Sequence, residues 1–368
     1  MSGSGGPRAD AGGTVLAAVR CRASEAAGRR IGHALRAGAL VVLAALSPVG
    51  GTDAHAQRDA EPLAANYRGW DYIVEKLVAD GVDPRQVRRV FTDPRVEPFS
   101  GLQFSLYPRE STALYRGFTK PASVALARRC KASHERALQE AEERFGVPAS
   151  VVASIIHVES GCGRNTGKEV VLFRLARLAM ANEPANLRDN ITRHTETGYD
   201  PAIEERTRER GLYLENTFYP EVLATFQVSD RLDIDPLSLR GSGSGAFGMP
   251  QFLPRSYLSY GADGNGDGRV SLYDADDAIF SCANYLASHG WRPGISRAEK
   301  RRVIWHYNRS DAYIDTVLAL ADRLDGAPEP MVAEAARGKA AQVQRQVKGK
   351  AKAKATSTKP RRTKKSAN

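Results

Sequence analysis

The stretch 146-GVPASVVASIIHVESGCG-163 decides the fold. Pro148 suits the first turn of a helix, where a missing N–H costs nothing. The residues that follow are apolar through Ile156, and Gly161 is the residue type that ends helices. The reading is a buried helix with Glu159 at its C-terminal end. A carboxyl group there meets two effects that favour the neutral acid: desolvation, and the partial negative charge of the helix terminus. Such an acid near pH 7 can protonate a leaving-group oxygen, as glycosidic cleavage requires. The plainer alternative is a glutamate that ends its helix in water.

Working outward, Trp70, Ile73, Val74 and Leu77 fall at helical spacing, Gly81 stops that helix, and 83-DPRQVRRVF-91 starts another with Asp before Pro. The segment 92–104 is looser and precedes a long helical pattern over 123–144. From 182 to 214 the chain is polar with little clear pattern, and 218–234 is helical again. Helical patterns return over 275–291 and 300–324, while strand-like alternation is scarce. The fold class expected is mostly α. The domain reading is a leader over 1–56, an N-terminal helical region over 57–145, a catalytic region over 146–326, and a basic tail over 327–368.

Between the last helices lies 241-GSGSGAFGMPQFLPRSY-257. Repeated glycines let a backbone approach a ligand closely, and Ser242, Gln251 and nearby aromatics offer the polar and stacking groups that sugars take. The loop lacks the Lys-Ser/Thr ending and the strand-first context of nucleotide-binding loops.

In order along the chain, 156-IHVESGCGRNTG-167, 245-GAFGMPQFLPRSY-257, 284-NYLASHGW-291 and 306-HYNRSDAY-313 resemble the membrane-bound lytic murein transglycosylase B family, a branch of the lysozyme-like superfamily. The resemblance runs from about Tyr67 to Leu324 and implies a lysozyme-like catalytic core. It implies that Glu159 is a single acid/base cutting the β-1,4 bond between N-acetylmuramic acid and N-acetylglucosamine, with the muramyl 6-hydroxyl closing a 1,6-anhydro end. Hydrolysis by the usual route needs two carboxylates; an internal hydroxyl is already positioned, so one group can give a proton and take one back. Ser242, Gln251, Tyr285, Tyr307 and Asn308 match glycan-contacting positions, Asn308 facing an N-acetyl group. Two features depart from the family: Cys162 stands where an aromatic is common, and 182–214 is longer and lacks a Pro-Arg-Arg motif. The alternatives are a hydrolytic muramidase, for which Asp233 or Asp235 could supply the second acid, and a wall-binding protein without activity.

The stretch 263-DGNGDGRVSLYD-274 fits an EF-hand loop. Its expected ligands are Asp263, Asn265, Asp267, the carbonyl of Arg269, Ser271 directly or through water, and Asp274, with Gly268 at the sharp turn. Asp replaces the usual twelfth-position Glu. The expectation is a structural Ca²⁺ of moderate affinity, ~10⁻⁴–10⁻³ M, and no organic cofactor.

The net charge of +11 is unevenly placed. Twelve Lys or Arg and no acid follow from Arg337 onward, whereas 57–336 carries −4. A tail so composed cannot bury enough surface to offset ordering. Anionic wall or membrane surfaces are its expected partners rather than nucleic acid, because the N-terminus reads as exported: arginines lead into 37-AGALVVLAAL-46, then 54-AHA-56. The expected location is the periplasm; no lipobox precedes Cys21. Removal of the leader leaves Cys130, Cys162 and Cys282, one disulfide and one thiol, with three pairings open and no Cys/His zinc spacing.

Overall fold

The computed structural model describes residues 66–108 and 111–326. The leader and the basic tail lie outside the described residues. The chain divides into units 1–321 and 322–368; of the second, only 322–326 are described.

Twelve α-helices are described: α1 (Asp71–Ala79), α2 (Pro84–Phe91), α3 (Pro121–Ser133), α4 (Glu135–Phe145), α5 (Ala149–Ser160), α6 (Val171–Ala179), α7 (Pro184–Thr195), α8 (Pro201–Leu232), α9 (Pro254–Tyr260), α10 (Ala275–Ser288), α11 (Arg297–Tyr307) and α12 (Asp311–Asp325). Two-residue strands, β1 (Glu169–Val170) and β2 (Arg240–Gly241), pair antiparallel, Glu169 opposite Gly241. No described helix is long and apolar enough to cross a membrane.

Helix α5 is apolar on nearly every side and buried accordingly: every residue from Ala149 to His157 is buried. Helices α3, α4 and α10 pack against it, and their buried side chains include Val124, Leu138, Ile279 and Leu286. Each such side chain contributes about 1.5–3 kcal/mol on leaving water. Helix α8 is joined to α1 through Glu215, whose buried carboxylate accepts from Tyr72 Oη and Asn182 Nδ2, both at 2.8 Å, and from Lys76.

Three patterns resolve differently from their sequence reading. The single helix expected over 123–144 breaks at His134, whose φ of −122° and ψ of 28° leave the helical region. The one expected over 300–324 breaks at Asn308, which is extended (φ −147°, ψ 123°), and Ser310 Oγ then accepts from Tyr313 N to start α12. The weakly patterned 201–217 is instead the first half of α8. Its buried positions, Thr207, Gly211, Leu214 and Glu215, recur at helical spacing but are mostly small or polar, so hydropathy hides them.

Candidate active site

Helix α5 ends as the sequence suggests. Gly161 is left-handed at φ +61°, its N–H bonding His157 O at 2.9 Å, and the Cys162 N–H reaches Ile156 O at 3.2 Å. Glu159, in the last turn, is half-buried. Tyr313 of α12 is buried and donates its Oη to Glu159 Oε1 at 2.6 Å. Burial, and then the charge and hydrogen bond of Glu159, push the Tyr313 phenol well above its ordinary value, so it stays protonated and acts as donor. Sequence reading missed Tyr313, because an aromatic one turn into a helix reads as core.

The glycine-rich loop folds against the chain just beyond Glu159. Strand β1 follows that segment and β2 opens the loop. The two backbones meet so closely that a Cβ at Gly167 would collide with the Gly241 carbonyl, and one at Gly241 would collide with the Ala246 carbonyl within the loop. Ser242 is buried, its hydroxyl accepting the Ala246 N–H at 3.2 Å, so it shapes the loop. Gln251 adopts φ +52°, costly for a side chain with Cβ. Its Nε2 donates to Gly248 O at 2.7 Å and Thr166 O at 3.2 Å, while its Oε1 is buried with no partner among the described residues.

Aromatic rings join this loop to the acid. Tyr307 stacks on Tyr313, centroids 6.4 Å apart and planes 10° apart, and donates its hydroxyl to Pro250 O. Tyr285 donates to His306 O at 2.7 Å, and Phe252 packs on both Tyr285 and Tyr307 at 5.5 and 5.9 Å. Burial pushes both phenols above their ordinary value. Their hydroxyls thus hold the wall together. Beside them, Asn308 Oδ1 is buried without a partner among the described residues. Of the five expected sugar contacts, Gln251 and Asn308 keep acceptors unused, and Ser242, Tyr285 and Tyr307 serve as scaffold. A half-buried acid with a fixed donor suits proton transfer to a polar substrate.

Of the two acids considered as partners, Asp235 is engaged elsewhere and Asp233 ends a helix. Asp235 pairs with Arg95 at 2.7 Å and accepts from Leu237 N at 3.0 Å, and Asp233 is the left-handed C-cap of α8.

In the loop 263–274, Asp263 accepts from Gly266 N and Gly268 N at 2.7 and 2.8 Å, and Gly268 has φ +81°. Asn265 and Asp267 accept from Asp267 N and Arg269 N at 2.9 and 2.8 Å. Asp274 differs from its expected role: its side chain caps α10, accepting from Asp276 N and Asp277 N. The carboxylate that reaches into the loop is Asp277, 1 % exposed, accepting from Gly264 N at 2.8 Å and Ser271 N at 2.7 Å. Clustered carboxylate and amide oxygens are a donor set that suits a hard divalent cation. The available signal was an acid one turn beyond the expected loop end.

Cys130 bonds to Cys162, and Cys282 is a buried free thiol. Linking residues 32 apart restricts the unfolded chain by about 3–4 kcal/mol.

The family model described as the transglycosylase SLT domain matches residues 66–300. The membrane-bound lytic murein transglycosylase B of Escherichia coli (strain K12) is 36% identical over 162 residues, 44% of this chain and 37% of that protein, so the match spans little over a third of the relative's length. Among solved structures, the catenated lytic transglycosylase SltB1 of Pseudomonas aeruginosa has a TM-score of 0.54 at 24% identity, covering 70% of this chain and 98% of that one. The Escherichia coli lytic transglycosylase Slt35 in complex with calcium has a TM-score of 0.51 at 22% identity, covering 69% and 92%. Likeness at these identities establishes the fold: mostly α and lysozyme-like, as in soluble lytic transglycosylases.

Proposed function

The chain belongs to the transglycosylase SLT-domain family, and from that premise we propose that it is a peptidoglycan lytic transglycosylase with Glu159 as its single acid/base. Glu159 gives its proton to the oxygen leaving muramic acid C1 in the β-1,4 bond to N-acetylglucosamine. It then takes one from the muramyl 6-hydroxyl as that oxygen closes on C1, leaving a 1,6-anhydro end. The observation that carries this reading is the Tyr313 hydrogen bond to Glu159 at 2.6 Å. Negative charge grows on Glu159 as its proton leaves, and a donor already aimed at the carboxylate stabilises that charge without reorganisation. The unused acceptors of Gln251 and Asn308 support acetamido and hydroxyl recognition.

A structural Ca²⁺ on Asp263, Asn265, Asp267 and Asp277 belongs to the same reading; bound there it would neutralise their carboxylates. So do export to the periplasm and contact of the basic tail with anionic wall or membrane.

Mass spectrometry of purified sacculi digested with the protein tests the reaction. Anhydromuramyl ends are expected from the wild type and none from Glu159→Gln. Reducing muramic ends would make the chain a hydrolase, and release surviving Glu159→Gln would remove the assigned acid.

A further inference from the structure

The chain beyond Glu159 takes two left-handed steps in succession, Gly161 at φ +61° and Cys162 at φ +65°. Glycine does this freely, but cysteine carries a Cβ into a sparsely populated region, so the surroundings must hold it there. Three ties do so. The Cys162 N–H bonds Ile156 O at 3.2 Å, the Gly163 N–H bonds Ser160 Oγ at 2.9 Å, and the Cys162 sulfur is joined to Cys130 of α3, Cα atoms 6.0 Å apart. On the other side Met249 of the glycine-rich loop lies against Gly163. Helix α3 also meets α5 through Ser123 Oγ and His157 Nε2, 2.9 Å apart.

Glu159 therefore stands between two attachments to α3, one two residues before it and one three residues after. The first is a hydrogen bond and can yield; the second is covalent. A carboxylate that must keep a 2.6 Å bond to Tyr313 while passing a proton tolerates little movement of its helix end.

We propose that the Cys130–Cys162 disulfide is a positioning device for Glu159, so that the oxidised chain is the competent catalyst and reduction lowers turnover. The inference rests on Glu159 being the acid. Reduction by a dithiol balances simply: one thiolate attacks a bridge sulfur, the second releases the resulting mixed disulfide, the reductant leaves as a cyclic disulfide, and two protons end on Cys130 and Cys162. Cys282 is buried and plays no part.

The full chain is assayed on soluble glycan strands, with kcat and KM compared for the oxidised protein, the dithiothreitol-reduced protein, and two variants below their melting temperatures. The variants are Cys130→Ser/Cys162→Ser, and Cys130→Ala/Cys162→Gly, which removes the left-handed strain along with the bridge. Expected is a fall in kcat of about tenfold or more in all three, with KM within about twofold and kcat restored only when the reduced wild type is reoxidised. Full kcat in Cys130→Ala/Cys162→Gly overturns the proposal, since the bridge would then serve only to hold a strained residue. A rise in KM at unchanged kcat overturns it too. The same kcat dependence with reducing-end products supports the positioning role while refuting the transglycosylase reading.

Discussion

The Tyr313 phenol and the Glu159 carboxylate, 154 residues apart in the chain, stand 2.6 Å from each other with the phenol donating. A hydrogen bond to a charged group is worth about 1.5–3 kcal/mol. Tyr313→Phe keeps the ring and its stacking on Tyr307, so kcat should fall on the order of 10- to 100-fold with the melting temperature nearly unchanged. Single-turnover rates on glycan strands check this. An unaltered rate would mean that the bond is only structural.

Gln251 allows backbone and side chain to be separated. Glycine accepts the φ of +52° more readily than glutamine does, which offsets part of the loss of the Nε2 bonds to Gly248 and Thr166, so Gln251→Gly should be destabilised by no more than about 1–3 kcal/mol. It also deletes the buried Oε1, so its kcat/KM should drop about tenfold or more. Thermal melts alongside glycan kinetics read both effects; a variant equal to wild type in both would remove Gln251 from the site.

Asp277 and Asp274 should differ in the opposite order from that expected of an EF-hand twelfth position. Asp274→Ala loses a helix cap, about 1 kcal/mol. Asp277→Ala leaves the half-buried Gly264 and Ser271 amides without their carboxylate acceptor, about 2–4 kcal/mol. Urea unfolding ranks them. Chelation by EGTA should lower the melting temperature of wild type and Asp274→Ala, and have little effect on Asp277→Ala.

His157 makes stability depend on pH. Burial, aided by the positive charge of Arg164, lowers it from 6.5 to about 4, so the unfolded chain takes up its proton first. The native state is therefore penalised as pH falls from about 6.5 toward 4. Between pH 7.5 and 4.5 the loss assignable to this group is about 2.5 kcal/mol. His157→Gln should lose that much less than wild type in urea melts over the same interval. An equal loss in both would assign the effect to other groups.

What could be read from the chain follows from how local each signal is. Glu159 was legible because an apolar run, a glycine stop and a terminal acid are adjacent. The turn of Asp263, Asn265 and Asp267 was legible for the same reason, up to the point where Asp277 enters from the next helical turn. Tyr313 was not: its role lies in what it touches across the fold, and its own neighbourhood looks like any helix core. The division of labour among Gln251, Asn308, Ser242, Tyr285 and Tyr307 was equally hidden. All five carry polar groups at matching positions, and only the hydrogen bonds to Ala246, His306 and Pro250 reveal which are already committed. The first half of α8 was missed because its inward face is built of Thr207, Gly211 and Glu215, a face buried through close approach and ion pairing.

The groups around Glu159 come from α5, the loop before α9, α10, and the junction of α11 with α12, so the site closes only through contacts between distant parts of the chain. Such contacts form late in folding. A partly folded or nascent chain holds the acid without the phenol that supports it, and truncation before Tyr313 leaves it so. The proposed acid is in this way without its donor until α12 has docked, so competence of the site is tied to completion of the fold.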